Sequence, residues 1–597
     1  MTTPSTRCRL LSVTLLLLVA LPVAAQKQDA VSRAMHEELS RSVARLSLPK
    51  LDKPYFIAYR VDDLHSAVIS STLGALTNSN ESRTRLLAIE MRVGDYALDN
   101  TNFLAMQSLR WNRPGSNSSL PLDDDYDQLR RAIWLATDRA YKQAAETLAA
   151  KRSVLEHRQG GPALPDFSHQ PPFKLEQAPA NMKVDVPSLE QLARTVSAVF
   201  RDFPNIYVST VDISIRDAFT RYLNSEGTWF TRPSPLVMLN VAARVRGPDG
   251  LPLQDSFQVF GDDPDALQQA NLVARTRKFA ADLEAQRTAP KLDSYSGPVL
   301  FQGEAAAEVL AQVLAPALTA SRFPITDQPQ FEAQFQQVMS RFGGGSLADH
   351  IGGRVLPAGF DLADEPRTAT LGTVPLLGGS QVDDDGVSTL EVKLVDHGIL
   401  KRLLATRVPT EHSKLSTGSR RQLGPSPSNL ILSVRGGLSE AQLKTELLAQ
   451  AKQRGLDSAL IIRRVGPAGL SWITKLMQSR MSGSAPLAAE VYRVFPDGHE
   501  ERVRPPEVQP MTAADFKDVD AAGDTPFVYN GAYIPLATSI FGVLGGGGLG
   551  DSNPSLVSYV TPSLLFDDVS LKADAGPAPD APVAPSPLAQ SSAQGNP

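Results

Sequence analysis

Pro-Asp-Gly occurs twice in this chain, at Pro248-Asp249-Gly250 and Pro496-Asp497-Gly498, each time between runs of alternating apolar and polar residues. Such a triplet reverses an extended chain, with glycine supplying the left-handed backbone of the bend, so 235–260 and 488–505 are predicted antiparallel hairpins. Asp396-His397-Gly398 divides 391–407 in the same way, which makes His397 a turn residue rather than a ligand. The C-terminal half therefore reads as largely antiparallel β.

Helices and strands alternate in blocks before it. Helical periodicity marks 29–46, 126–152, 188–202 and 266–289. Between them, 54–63, 67–77 and 82–101 read as a meander, and 205–230 as two strands, the second turning at Asn224-Ser225-Glu226-Gly227. Strands in runs with helices between them give an α+β class. Two domains are expected: an N-terminal α/β sandwich-like domain over 26–292 and a largely antiparallel β domain over 293–572. The Pro/Ala/Ser-rich segment 573–597 is predicted to be a disordered tail. His36-Glu37 in the first helix has no second histidine after it, so it is a chance pair.

Residues 1–25 have a leader's form: Arg7 and Arg9, an apolar run over 10–25, and small residues ending at Ala25. The run is too short for a stable membrane span, and export to a periplasm or beyond is expected. The single cysteine of the 597 residues, Cys8, lies in that leader, so the mature chain has no thiol and no disulfide. A net charge of −5 and no basic stripe exclude the usual nucleic-acid binders. Glycine runs occur at 343–345 and 542–555; the second lacks the lysine of a phosphate loop and serves either as a mobile loop over a groove or as a linker.

Two stretches carry chemistry. Val299 to Phe301 leads into an alanine-rich helix with Glu304 and Glu308 four residues apart on one face. The simple reading is two solvated carboxylates; the other is a pair that divides acid and base roles or binds Mg²⁺ or Mn²⁺. Downstream, Val382-Asp383-Asp384-Asp385-Gly386, the 391–407 hairpin and Ser416-Thr417-Gly418-Ser419-Arg420-Arg421 follow in order. With LNSEG at 223–227 and the closing strand 558–572, they resemble the TldD/PmbA metalloprotease-related family over 190–572.

That resemblance implies a C-terminal domain whose HExxxH helix falls here on Gly303, Glu304 and Glu308. Neither Gly303 nor Glu308 supplies an imidazole, no histidine lies between His169 and His350, and the family's cysteine ligand has no counterpart. No catalytic residue, metal or cofactor is then expected in this chain, with Glu304 and Glu308 the candidates if any. It resembles the metal-free PmbA/TldE type. The resemblance implies a TldD-like paralogue with intact HExxxH and zinc as partner, or a homo-oligomer, acting on unstructured peptides. The export signal departs from the usual members. Two alternatives stand beside it. One is an independent hydrolase using Glu304, Glu308 and Asp383-Asp384-Asp385 with His350 or His412 as base; the other is a peptide-binding or scaffold protein without protease activity.

Overall fold

A computed structural model describes residues 29–104, 118–158, 164–250, 252–292, 294–328, 330, 332, 347–422, 424–466, 490–504, 507–508, 511–533 and 555–572. The leader, both glycine runs apart from Ser555 and the Pro/Ala/Ser tail lie outside these residues.

Pro54–Thr72 and Ala75–Val93 form one antiparallel hairpin of two 19-residue strands. It turns at Leu73 and Gly74, whose φ angles of 48° and 79° suit a tight two-residue connection. The three-stranded meander expected from the sequence is therefore two strands. The apparent break falls at Asp63 and His65, which point to the same face as Ile57, Tyr59, Val61, Ala67 and Ile69. There a belt of ion pairs (Arg85 to Asp63, 2.5 Å; Arg221 to Asp63, 2.5 Å; His65 to Glu81, 2.6 Å) separates two hydrophobic clusters on one continuous strand. The expected pair of strands in 205–230 likewise begins with a single long strand, Ile206–Asn224, followed after its turn by Trp229–Pro233.

The eight-stranded sheet runs Ser118–Ser119, Ala75–Val93, Pro54–Thr72, Ile206–Asn224, Trp229–Pro233, Lys174–Glu176, with Leu236–Arg246 and Pro252–Gly261 extending the other half of Ile206–Asn224. Helices Ala30–Arg45 and Tyr126–Glu156 cover one end of its inner face through Met35, Leu129, Ile133, Tyr59 and Val61. Helices Val186–Ala198 and Leu272–Thr288 cover the other end through Ala193, Phe279, Ile213 and Leu239. Each of the first three starts at an aspartate, Asp29, Asp125 or Asp185, whose side chain accepts a backbone N–H of the first turn.

Residues 294–572 build two more sheets. One runs Glu500–Val503, Glu490–Val494, Ala459–Arg464, Ser294–Phe301, Leu564–Lys572, and the other Ile399–Leu400, Val392–Asp396, Phe360–Asp364, Asn429–Val434, Ser555–Thr561, Phe527–Tyr533. Most pairings are antiparallel as expected, but each sheet contains a parallel pair near its centre: Ser294–Phe301 with Ala459–Arg464, and Asn429–Val434 with Ser555–Thr561. Both hairpins expected at 391–407 and 488–505 are present, the first turning at His397 (φ 50°) and Gly398 (φ 78°). Residues of both sheets and of the helix after Phe301 share one core, while helix Glu440–Gln453 packs on the outer side of the first. The architecture is mixed α+β, and no helix among the described residues is long and apolar enough to cross a membrane.

Candidate functional site

The chain leaves Ser294–Phe301 through Gln302 and Gly303 and enters a short helix, Glu304–Val309. Gly303 has φ 53° and ψ −109°, a backbone state that residues with a β-carbon rarely enter. A methyl group there would meet only Phe527, at 3.7 Å, so the need for glycine is conformational. Leu310–Leu314 continues as a widened π turn. Pro316, just beyond, has no N–H and its ring would strike a carbonyl one turn back, which accounts for the widening.

This helix lies inside the protein. Ala305, Ala306 and Ala307 are wholly buried, and Glu308 is 1% exposed. The solvated carboxylates expected from the sequence are thus corrected: a helix between two sheets has no wet face at Glu308. Its Oε2 accepts the N–H groups of Val465 at 2.6 Å and Gly466 at 3.1 Å, and Gln312 Nε2 donates to the Gly466 carbonyl at 2.7 Å. Glu308 thereby satisfies donors just beyond the strand Ala459–Arg464. Burial, and after it the nearby Glu304, push the Glu308 carboxyl up to about 8. Glu304 is half-buried, and burial raises its proton affinity too, against the pull of Arg464 and Arg275.

Arg464 is the cation of the site. It ends the strand parallel to Ser294–Phe301, pairs with the buried Asp255 of Pro252–Gly261, and its charge acts on both Glu308 and Glu304. Arg275 lies over the Phe257 ring at 4.6 Å and adds a second positive charge near Glu304. Glu490, the fourth carboxylate, accepts from Tyr492 Oη at 2.7 Å and from Arg502 at 3.1 Å. Sequence reasoning missed Arg464, Asp255, Arg275 and Glu490. The one available signal was that a carboxylate at the end of a buried strand–helix unit requires a nearby cation.

These residues do not fit zinc. Gly303 offers no donor atom, Glu308 is committed to two backbone amides, and an arginine already supplies the positive charge among the carboxylates. Among the described residues no three His, Cys, Asp or Glu converge as a metal site needs. The only cysteine, Cys8, lies outside the described residues.

The acidic turn is a structural lock, not a surface feature. The Asp383 carboxylate accepts N–H groups of Asp385, Val387 and Arg420 at 2.9, 2.8 and 3.1 Å. Burial and Asp385 push it up to about 7. Asp384 accepts from Arg232 and the Gln422 N–H, each at 2.6 Å. Burial alone would raise Asp384, but Arg232, Arg60 and Arg421 together hold it well below the usual carboxylate range. Asp385 pairs with Arg420. Close by, Arg407, 1% exposed, forks onto Glu226 at 2.7 and 2.8 Å and lies over the Phe167 ring at 3.9 Å. The motifs of 383–421 thus clasp the eight-stranded sheet. His350 is exposed, His412 pairs with Asp349 at 3.3 Å, and His397 sits in its hairpin turn beside Arg435. None of these histidines is hydrogen-bonded to Glu304, Glu308 or the acidic turn among the described residues. His36 packs against Trp229, and Glu37 accepts from Tyr126, so that pair is divided between two neighbours.

Residues 294–572 match the family described as PmbA/TldA metallopeptidase C-terminal domain. No curated protein matches the chain. Among solved structures, TldE from Thermococcus kodakarensis superimposes with a TM-score of 0.53 at 14% identity, over 91% of this chain and 100% of that one. A candidate modulator of a DNA gyrase from Thermotoga maritima gives 0.52 at 13% identity, over 86% and 96%. A candidate modulator of DNA gyrase from Bacteroides thetaiotaomicron gives 0.53 at 11%, over 91% and 99%. Residues 294–572 thus match the PmbA/TldA metallopeptidase C-terminal domain, and the chain shares the fold of these solved structures.

Proposed function

We propose that this chain is an exported, metal-free subunit of the TldD/PmbA type that pairs with an HExxxH-bearing paralogue to process unstructured peptides. One observation carries the reading: at the helix where the resemblance puts HExxxH, Glu308 accepts the amides of Val465 and Gly466, and the charge of Arg464, paired with Asp255, lies near both glutamates. Arg464 supplies positive charge near the carboxylates, where a metal would, but a guanidinium offers no open coordination position and cannot activate water. The likeness to a solved TldE agrees with this assignment. We further read 26–292 and 293–572 as two domains, clasped by the acidic turn, and 1–25 as the export leader. The test is capture: a tagged chain from its native host should bring down a paralogue that carries HExxxH. A chain that purifies alone and hydrolyses peptides in the presence of chelator contradicts the proposal.

A second reading has one specific support. Two neighbouring glutamates with raised proton affinity beside an arginine are what metal-free acid–base hydrolysis requires. In that case Glu304→Gln abolishes an activity that the isolated wild-type chain displays, and without such activity this reading fails.

A further inference from the structure

On the outer face of the eight-stranded sheet Arg216 is a guanidinium that is largely enclosed and has nothing to bind. Arg216 stands opposite Ser66 on one neighbour and Leu236 on the other, on the face away from the four packed helices. Its Nε is sealed from solvent without a hydrogen-bond partner, and no carboxylate lies within ion-pairing distance among the described residues. Burial lowers it to about 10, so it keeps its charge at neutral pH.

The charges around it do not cancel. Arg60, Arg216 and Arg232, with Arg421 beyond them, face Asp62 and Asp384, and both carboxylates are already engaged. Asp62 accepts from Arg60 at 2.8 Å and from Thr220 Oγ1 at 2.6 Å; Asp384 accepts from Arg232 at 2.6 Å. Positive charge is left over, and of these arginines Arg216 is the one with no hydrogen bond. A half-buried arginine without an acceptor is costly unless a ligand supplies one. The surrounding floor of the face is Leu64, Ser66, Ser214 and Asn240, all partly open to solvent, with Val68 39% exposed. Such a surface suits an extended polar chain more than an apolar helix. Asp62 close by disfavours a second negative charge, and the planar fork of arginine matches a carboxylate.

We propose that Arg216 is the anchor of a carboxylate-binding subsite on the open face of the eight-stranded sheet, the carboxylate belonging to a peptide. The inference rests on the peptide-handling reading given above. It is tested by fluorescence anisotropy on the full chain as isolated from its host, using one unstructured peptide in three forms. These are the free C-terminal acid without acidic side chains, the C-terminal amide, and the amide with one internal glutamate. Wild type should bind the free acid or the glutamate form at least about tenfold more tightly than the plain amide. Which of the two gains identifies the source of the carboxylate. Arg216→Gln should remove that preference while leaving amide binding unchanged, and Arg216→Lys should retain part of it. Arg244→Gln, at an exposed arginine of the same sheet, should behave as wild type. Equal binding of all three forms by wild type overturns the subsite and leaves peptide handling intact. Binding of none overturns both. A preference that survives Arg216→Gln, with the fold verified by circular dichroism, also overturns it.

Discussion

Replacing Glu308 by glutamine should make this protein more stable in mild alkali, although it removes a charged side chain from the centre of the candidate site. Burial and Glu304 push Glu308 up to about 8, against a usual value of 4.5. Below about pH 4.5 folded and unfolded chains both carry the proton. Between 4.5 and 8 the folded chain retains a proton that the unfolded chain has released, so stability falls as pH rises through that window. The full separation corresponds to roughly 5 kcal/mol at about 1.4 kcal/mol per unit. Glu304 shares the titration, so about 2–3 kcal/mol is assigned to Glu308 alone. The glutamine carbonyl still accepts the Val465 and Gly466 amides, and its volume is nearly that of the acid. Urea denaturation should therefore show Glu308→Gln within about 1 kcal/mol of wild type at pH 5.5 and about 2–3 kcal/mol more stable at pH 8.5. Glu308→Ala, which strands two amide donors and opens a cavity, should lose about 3–5 kcal/mol at both. A glutamine variant less stable than wild type at pH 8.5 refutes the reasoning, because it would mean that the ionised carboxylate is the favoured form.

Gly303→Ala should cost about 1–3 kcal/mol in thermal denaturation from backbone conformation alone, and Gly303→His with Glu308→His should not yield a chain that retains zinc through gel filtration. Arg407→Ala should lose about 3–5 kcal/mol, because Glu226 and the Ser168 carbonyl lose a buried partner. Asp384, held below its usual range, contributes stability that is present above about pH 3.8 and lost as pH falls through its folded value. Asp384→Asn should accordingly be less stable than wild type at pH 7, and the gap in urea midpoint should narrow towards pH 2.

Local chemistry made the turns legible. Asp396-His397-Gly398 announced a turn with Gly398 left-handed, and the structure has Gly398 at φ 78° with His397 left-handed beside it. The helical spacing at 29–46, 126–152 and 188–202 matches Ala30–Arg45, Tyr126–Glu156 and Val186–Ala198, whereas 266–289 divides at the left-handed Asn271 into Asp265–Gln269 and Leu272–Thr288. The long strand Pro54–Thr72 did not follow from spacing, since its alternation lapses where two hydrophobic clusters meet at Asp63 and His65. The burial of Glu308 was invisible for a different reason. Three consecutive alanines tolerate solvent and interior equally, so Glu-Ala-Ala-Ala-Glu carries no periodicity that tells one from the other. Arg464 meets Asp255 across 209 positions of sequence, a distance at which no local pattern operates. Nothing in the local pattern marks Arg216; only the register sets it beside Ser66 and Leu236 rather than beside an acid.

At Gly303-Glu304-Ala305-Ala306-Ala307-Glu308 the retained proton of Glu308, the amides of Val465 and Gly466 and the nearby charge of Arg464 stand where a metal would. This central claim is tested most directly by the zinc content of the chain from Gln26 onward, measured by native mass spectrometry after zinc supplementation, beside an HExxxH-bearing relative. The account predicts a zinc-free mass while the relative loads. Equimolar zinc that chelators remove would contradict it.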